Sequence, residues 1–162
     1  MKRTRNPLLF AAGVLALGIA LTQSNPINLM RAQGSVDPNV EGTWRVQVTP
    51  DGGPPFRALA TFGSGGTVVE SSEGSNDKGG QGVWKRTGGR TFGFTVEQFQ
   101  FDNVGNFIGT LKLRESDRFM SNSDTYDGVG MIEFRNPDGT LAYTVCARTH
   151  GTRMAVEAPD CR

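Results

Sequence analysis

From Gly42 onward the chain keeps to one pattern: apolar and polar side chains alternate in short runs, and glycine, proline, Asn or Asp then cuts each run. Alternation with period two marks half-buried strands, because successive side chains of a strand point to opposite faces. The clearest run is Gly42-Thr43-Trp44-Arg45-Val46-Gln47-Val48, which sends Trp44, Val46 and Val48 one way and Thr43, Arg45 and Gln47 the other. No stretch with a helical period competes after residue 42. The chain is therefore restricted to an all-β fold with this run as its first strand.

Turn chemistry divides the rest. Pro50 to Pro55 ends the first strand, since proline lacks the ladder donor and glycine permits positive φ. Further strands are expected over Phe56 to Phe62, Thr67 to Ser71, Gln81 to Thr87, Arg90 to Phe101, Phe107 to Arg114, Ser123 to Phe134 and Leu141 to Met154, with a polar loop at Ser72 to Gly80. Gly88-Gly89 reads as a two-residue hairpin that fixes the register of its flanking strands. The fifth strand changes phase: Phe92, Phe94 and Val96 share one face, whereas Phe99 and Phe101 fall on the other. A bulge near Glu97-Gln98 would bring them back into phase.

About eight strands joined by short neighbour-to-neighbour turns would leave two bare edges in an open sheet, and closure removes both. The expected fold is a single closed antiparallel barrel, up-and-down, whose interior at about eight strands has room for side chains or one small ligand. A two-sheet sandwich uses the same strands but needs longer crossovers.

Ahead of the first strand, Lys2, Arg3 and Arg5 precede the uncharged apolar run Leu8 to Leu21. This is the layout of a secretory signal peptide. The run is shorter than the ~20 apolar residues of a spanning helix, so residues 1–24 are read as a signal peptide or an uncleaved N-terminal anchor, with no stable membrane span after processing. Residues 25–41 read as a flexible linker, 42–158 as the barrel domain and 159–162 as a tail. A secreted or periplasmic protein is expected. Four of the 17 basic residues lie before residue 33 and all 16 acidic residues after it; the remaining 13 bases against 16 acids leave the exported part at about −3. That balance argues against nucleic acid and anionic membrane as partners. Cys146 and Cys161, in an oxidising compartment, are expected to form a disulfide worth about 3 kcal/mol that ties the tail to the last strand.

With Gly42-Thr43-Trp44 opening the first of these strands, residues 42 to about 155 resemble the lipocalin-like or calycin group. The resemblance implies that the tryptophan closes the barrel base beneath an arginine late in the last strand, for which Arg148 is the candidate. Asp124-Thr125-Tyr126-Asp127 carries residues related to the group's Thr-Asp-Tyr motif in another order. The segment Phe101 to Thr110 also resembles the barrels of allene oxide cyclase and dirigent proteins.

The candidate ligand-binding residues are Phe62, Trp84, Phe92, Phe94, Phe99, Phe107 and Tyr126, which make an apolar site if they line an open cavity and plain core if they fill it. Trp44, Arg148, Cys146 and Cys161 are assigned structural roles. Candidate proton-transfer groups are Glu97, Tyr126 and His150, with Arg114 and Glu70 as further polar candidates. Glu97 or Gln98 must face inward unless the bulge turns both away, and a carboxyl inside an apolar barrel would be held protonated. There is no Gly-rich phosphate loop, Gly-x-Ser-x-Gly elbow or histidine pair, and Asn122 to Gly128 lacks the glutamate of a calcium loop. No cofactor or metal is expected. Three functions follow: binding of a small hydrophobic ligand, a cyclase or isomerase acting on an apolar substrate by proton transfer, or a filled barrel serving structure or interaction. The sequence leaves the oligomeric state open.

Overall fold

The computed structural model describes residues 38–73 and 78–161. The signal-peptide segment, most of the linker and the middle of the polar loop lie outside these residues. Eight strands run in chain order: β1 (Gly42–Pro50), β2 (Phe56–Phe62), β3 (Thr67–Ser72), β4 (Gly80–Arg86), β5 (Thr91–Phe101), β6 (Phe107–Phe119), β7 (Thr125–Arg135) and β8 (Leu141–Arg153). Each pairs antiparallel with the next. β1 pairs with β8 from Trp44↔Arg153 to Pro50↔Ala147, which closes the barrel and removes both edges. No helix occurs among the described residues.

Alternation decides what goes inside. Trp44, Val46, Val48, Ala58, Ala60, Phe62, Val68, Phe92, Phe94 and Val96 form an apolar interior with Phe119, Tyr126 and Ile132. The end of the barrel where β1 begins is filled with rings. Trp44 lies 5.1 Å from Tyr126 and 5.7 Å from Phe119 between centroids, and Phe92 lies 5.5 Å from Phe62 and 5.3 Å from Tyr126. Tilted and edge-on pairs of this kind add about 0.5–1.5 kcal/mol each beyond the area they bury. The Trp44 indole Nε1 donates to the Val40 carbonyl at 2.9 Å, so the buried ring leaves no donor unmet.

The guanidinium over Trp44 is that of Arg153, 4.2 Å from the ring, and not that of Arg148. Register explains the difference: Arg153 is the residue opposite Trp44, whereas Arg148 lies opposite Thr49 near the other end and faces out. Arg153 also donates to the carbonyls of Glu41, at 2.7 Å, and Asn39, so it ties the entering chain across the closed end.

Two local expectations are corrected. β4 and β5 pair as Trp84↔Phe94 and Arg86↔Phe92, one residue away from the register a Gly88-Gly89 loop would impose. That alternative would turn the Phe92 and Phe94 side chains outward while Trp84 faced inward, and burial outweighs turn preference. The chain instead turns through Thr87–Arg90, with the Thr91 amide donating to the Gly88 carbonyl at 3.4 Å. No bulge forms at Glu97-Gln98 either. β5 pairs with β6 continuously from Thr91↔Arg118 to Gln100↔Gly109 and shifts only between Gln100 and Phe101. Phe99 consequently remains on the outer face, against Phe107 at 6.1 Å.

Cys146 and Cys161 are exposed free thiols, which corrects the expected disulfide. Cys146 lies near the Pro50 end of β8, where its carbonyl accepts from the Asp51 amide at 2.8 Å. The tail leaves β8 at the opposite, Trp44 end. There the Met154 amide donates to the Thr43 carbonyl at 2.9 Å, and Glu157 pairs with Arg45 at 3.6 Å.

Candidate functional site

β6 carries its alternation past the point where the sequence turns charged. Leu111 and Leu113 face inward, and Glu115, Asp117 and Phe119 continue on the same face. Glu115 and Asp117 are buried, the latter 2 % exposed. Their cross-strand neighbours make room for them. Asp117, Gly128 and Thr149 stand in one row across β6, β7 and β8, and Glu115, Gly130 and Ala147 stand in the next. A Cβ on Gly128 would lie 2.0 Å from Asp117 Oδ1 and 2.6 Å from Thr149 Oγ1. In the row beyond, Gly151 admits the Tyr126 ring, whose Cε1 would lie 2.1 Å from an added Cβ. β6 thus presents two acids and β7 a phenol inward because glycines of β7 and β8 occupy the positions beside them.

The Thr149 hydroxyl donates to Glu115 Oε1 at 2.6 Å. Across the barrel, Gln98 Nε2 donates to Glu70 Oε2, and Gln98 Oε1 accepts from Gln100 Nε2 at 3.2 Å. Neither carboxyl oxygen of Asp117 has a hydrogen-bond partner among the described residues, and neither does the Tyr126 hydroxyl. Burial, reinforced by the neighbouring Glu115 charge, pushes Asp117 up to about 11. Burial likewise raises Glu115, while the Asp117 and Thr149 side chains partly offset it. Tyr126 is raised well above the usual phenol value by burial and by the two acids. Asp117 and Tyr126 therefore hold their protons near neutral pH, and burial pushes Glu115 in the same direction. Glu133 on the outer face shows the contrast: Arg114 at 2.5 Å and Arg135 at 3.0 Å bond its carboxylate and hold it below the usual range.

Glu70, Gln98, Glu115 and Thr149 border a chamber of about 50 Å³ in the half of the barrel away from Trp44. Its apolar wall is Val48, Phe56, Leu111, Leu113, Ile132 and Ala147. At ~10–15 Å³ of such space per water, it accepts a few water-sized groups. Larger hollows, one of about 650 Å³ beside His150, cross the outer strand faces.

The residues singled out from sequence divide between inside and outside. Phe62, Phe92 and Phe94 are core at the closed end, with Tyr126 among them. Trp84 is half-buried and donates from Nε1 to the Gly63 carbonyl at 2.9 Å. Phe99 and Phe107 are 65 % and 42 % exposed on the outer surface, where no interior ligand meets them. Of Glu97 and Gln98, it is Gln98 that faces inward; Glu97 pairs outside with Lys112 at 2.7 Å. His150 is also outside, with Nδ1 2.7 Å from Asp127 Oδ1, and Arg114 is bound to Glu133. Glu70 is buried within. The interior acids Glu115 and Asp117, with Thr149, were not anticipated, although the period-two run Leu111, Leu113, Glu115, Asp117, Phe119 would have pointed to them. No group of three or more His, Cys, Asp or Glu among the described residues is placed to hold a metal ion. No protein-family model and no curated protein matches the sequence.

Proposed function

We propose that this chain is an exported, lipocalin-like barrel that holds a small, mainly apolar molecule by the half of its interior away from Trp44. The observation that carries this reading is the convergence of a few polar groups, Glu115 and Thr149 facing Glu70 and Gln98, on a chamber otherwise walled by apolar side chains. Ligand sites commonly have this composition, with sparse polar groups fixing orientation among apolar contacts. The aromatic plug around Trp44 supports an interior accessible from one end only. The chamber is far smaller than the ~300–1,000 Å³ of a drug-sized pocket. The occupant would therefore place one end within it and lay the rest against the half-buried Phe56, Leu111 and Phe134. Gly42-Thr43-Trp44 with Arg153 over the indole supports the lipocalin-like reading, and the apolar run after Lys2, Arg3 and Arg5 supports export.

Native mass spectrometry of the purified chain, taken gently and again after organic extraction, tests the proposal. A co-purifying apolar mass that extraction removes is expected. Absence of any adduct, together with no fluorescence change from an apolar dye, would establish a filled barrel and refute it.

A second reading, an isomerase or cyclase acting on such a molecule, is favoured by one further feature: Tyr126, Glu115 and Asp117 face the same interior, and burial pushes all three toward their protonated forms. Neutral acids beside a phenol can donate to an oxygen on which negative charge develops. Turnover of the co-purifying compound that Glu115→Gln abolishes, with binding retained, would establish it.

A further inference from the structure

The interior acids Glu115 and Asp117 have no cationic partner among the described residues. Glu115 and Asp117 bring four carboxyl oxygens to adjacent rows of the barrel wall. The Thr149 hydroxyl satisfies one of them, and both oxygens of the almost fully buried Asp117 have no hydrogen-bond partner among the described residues. No lysine or arginine among the described residues pairs with either acid. Lys112 is engaged by Glu97, Arg114 and Arg135 by Glu133, and Arg153 by Asp124 and the carbonyls above Trp44. A carbonyl can meet these acids only in their neutral form, with a single O–H donor each, and a hydroxyl brings one O–H and no charge. A primary ammonium supplies three N–H donors and a positive charge with which an acid, once ionised, forms a charge-assisted pair that no described residue of the interior offers it. Its head is close to water in size, which the chamber of about 50 Å³ admits.

We infer that the interior site selects a small molecule whose polar end is a primary ammonium, received by Glu115 with Thr149 beside it, Asp117 behind and Glu70 across the chamber. This rests on the reading above that the chamber takes a ligand. The titratable groups facing Glu115 are Asp117 on its own strand, Tyr126 on β7 and Glu70 on β3; the neutral polar groups around the chamber are Ser72 of β3, Gln98 of β5 and Thr149 of β8. Burial disfavours the charged form of both acids while no cation is present. At about pH 8 an alkylamine arrives already as the ammonium. The acid that ionises to pair with it therefore breaks its O–H bond and releases that proton to solvent.

Isothermal titration of the intact chain at about pH 8 with hexylamine, hexanol and hexanoate, in two buffers of different ionisation enthalpy, is the test. Hexylamine should bind about tenfold or more tighter than hexanol, the margin expected of a charge-assisted bond. It should release about one proton on binding. Glu115→Gln should remove both the preference for hexylamine over hexanol and the proton release. Equal binding of hexanol, or amine binding without proton release, overturns the inference and leaves the ligand-holding barrel standing. Failure of all three probes to bind, with no dye signal, overturns both. Ammonium chloride that displaces hexylamine at equal affinity would show an inorganic cation site and overturn the organic amine.

Discussion

Asp117→Asn should change how the stability of the protein depends on pH. In the folded barrel burial pushes Asp117 from 3.8 to about 11, whereas in the unfolded chain it titrates near 4. Between those values the native state keeps a proton that the unfolded state has lost, so stability falls as pH rises. The slope is about 1.4 kcal/mol per pH unit for each such proton. Glu115, raised by the same burial, contributes in the same sense. Over three pH units one proton amounts to about 4 kcal/mol, a large part of the ~5–15 kcal/mol that holds a domain folded. Urea unfolding at a series of pH values from about 5 to 9, followed by tryptophan fluorescence, reads this directly as a fall in midpoint with rising pH. Asp117→Asn should remove about one proton's share of the slope, and the double variant with Glu115→Gln should flatten it further. A wild-type midpoint that does not fall with pH, or an Asp117→Asn variant with the full slope, would refute the reasoning.

Three further expectations concern single positions. Gly128→Ala should destabilise by about 1–3 kcal/mol, because its Cβ would lie 2.0 Å from Asp117 Oδ1; the loss should shrink when Asp117 is shortened to Ala, which a double-mutant cycle by urea unfolding measures. Arg153→Ala should cost about 1–2 kcal/mol in the same assay, through the cation–π contact over Trp44 and the bonds to Glu41 and Asn39. Arg148→Ala, on the exposed outer face, should stay within about 0.5 kcal/mol of wild type. Both cysteines should react with a maleimide in the native, unreduced protein, and mass spectrometry should count two labels.

Much of the barrel could be read from sequence because its strands obey one local rule. β2 is found over Phe56–Phe62, as the alternation of Phe56, Ala58, Ala60 and Phe62 requires. Closure followed from short connections and the need to cover two edges. The misread details were decided by long-range pairing. Gly88-Gly89 favours one register of β4 on β5, but that register would separate Trp84 from Phe94, and the interior selects the other. Phe99 and Phe101 look like core by composition. With no bulge at Glu97-Gln98, Phe99 stays on the outer side of β5, and it and Phe101 pack against Phe107 from the next strand. Arg148 and Arg153 both lie on β8, and only the β1–β8 register says which of them meets Trp44.

The polar interior was hidden for a different reason. Arg114-Glu115-Ser116-Asp117-Arg118 has the composition of a solvated strand end, and charge ordinarily means exposure. The run is in fact an alternation, with Arg114 and Arg118 outside and the two acids within. What makes it possible lies on other strands. Gly128 and Gly130 stand opposite Asp117 and Glu115, and any larger residue at 128 would occupy the space of the Asp117 carboxyl. A glycine within a strand weakens it, so two on β7 in the rows of two buried acids are costs that need an offsetting gain. Stability does not supply one, because buried unpaired acids are themselves unfavourable. Sequences depart from the rules of a stable core chiefly where a site is built. On that ground the β6–β7–β8 wall is where the proposed ligand would sit, with the Trp44 plug closing the other end of the barrel.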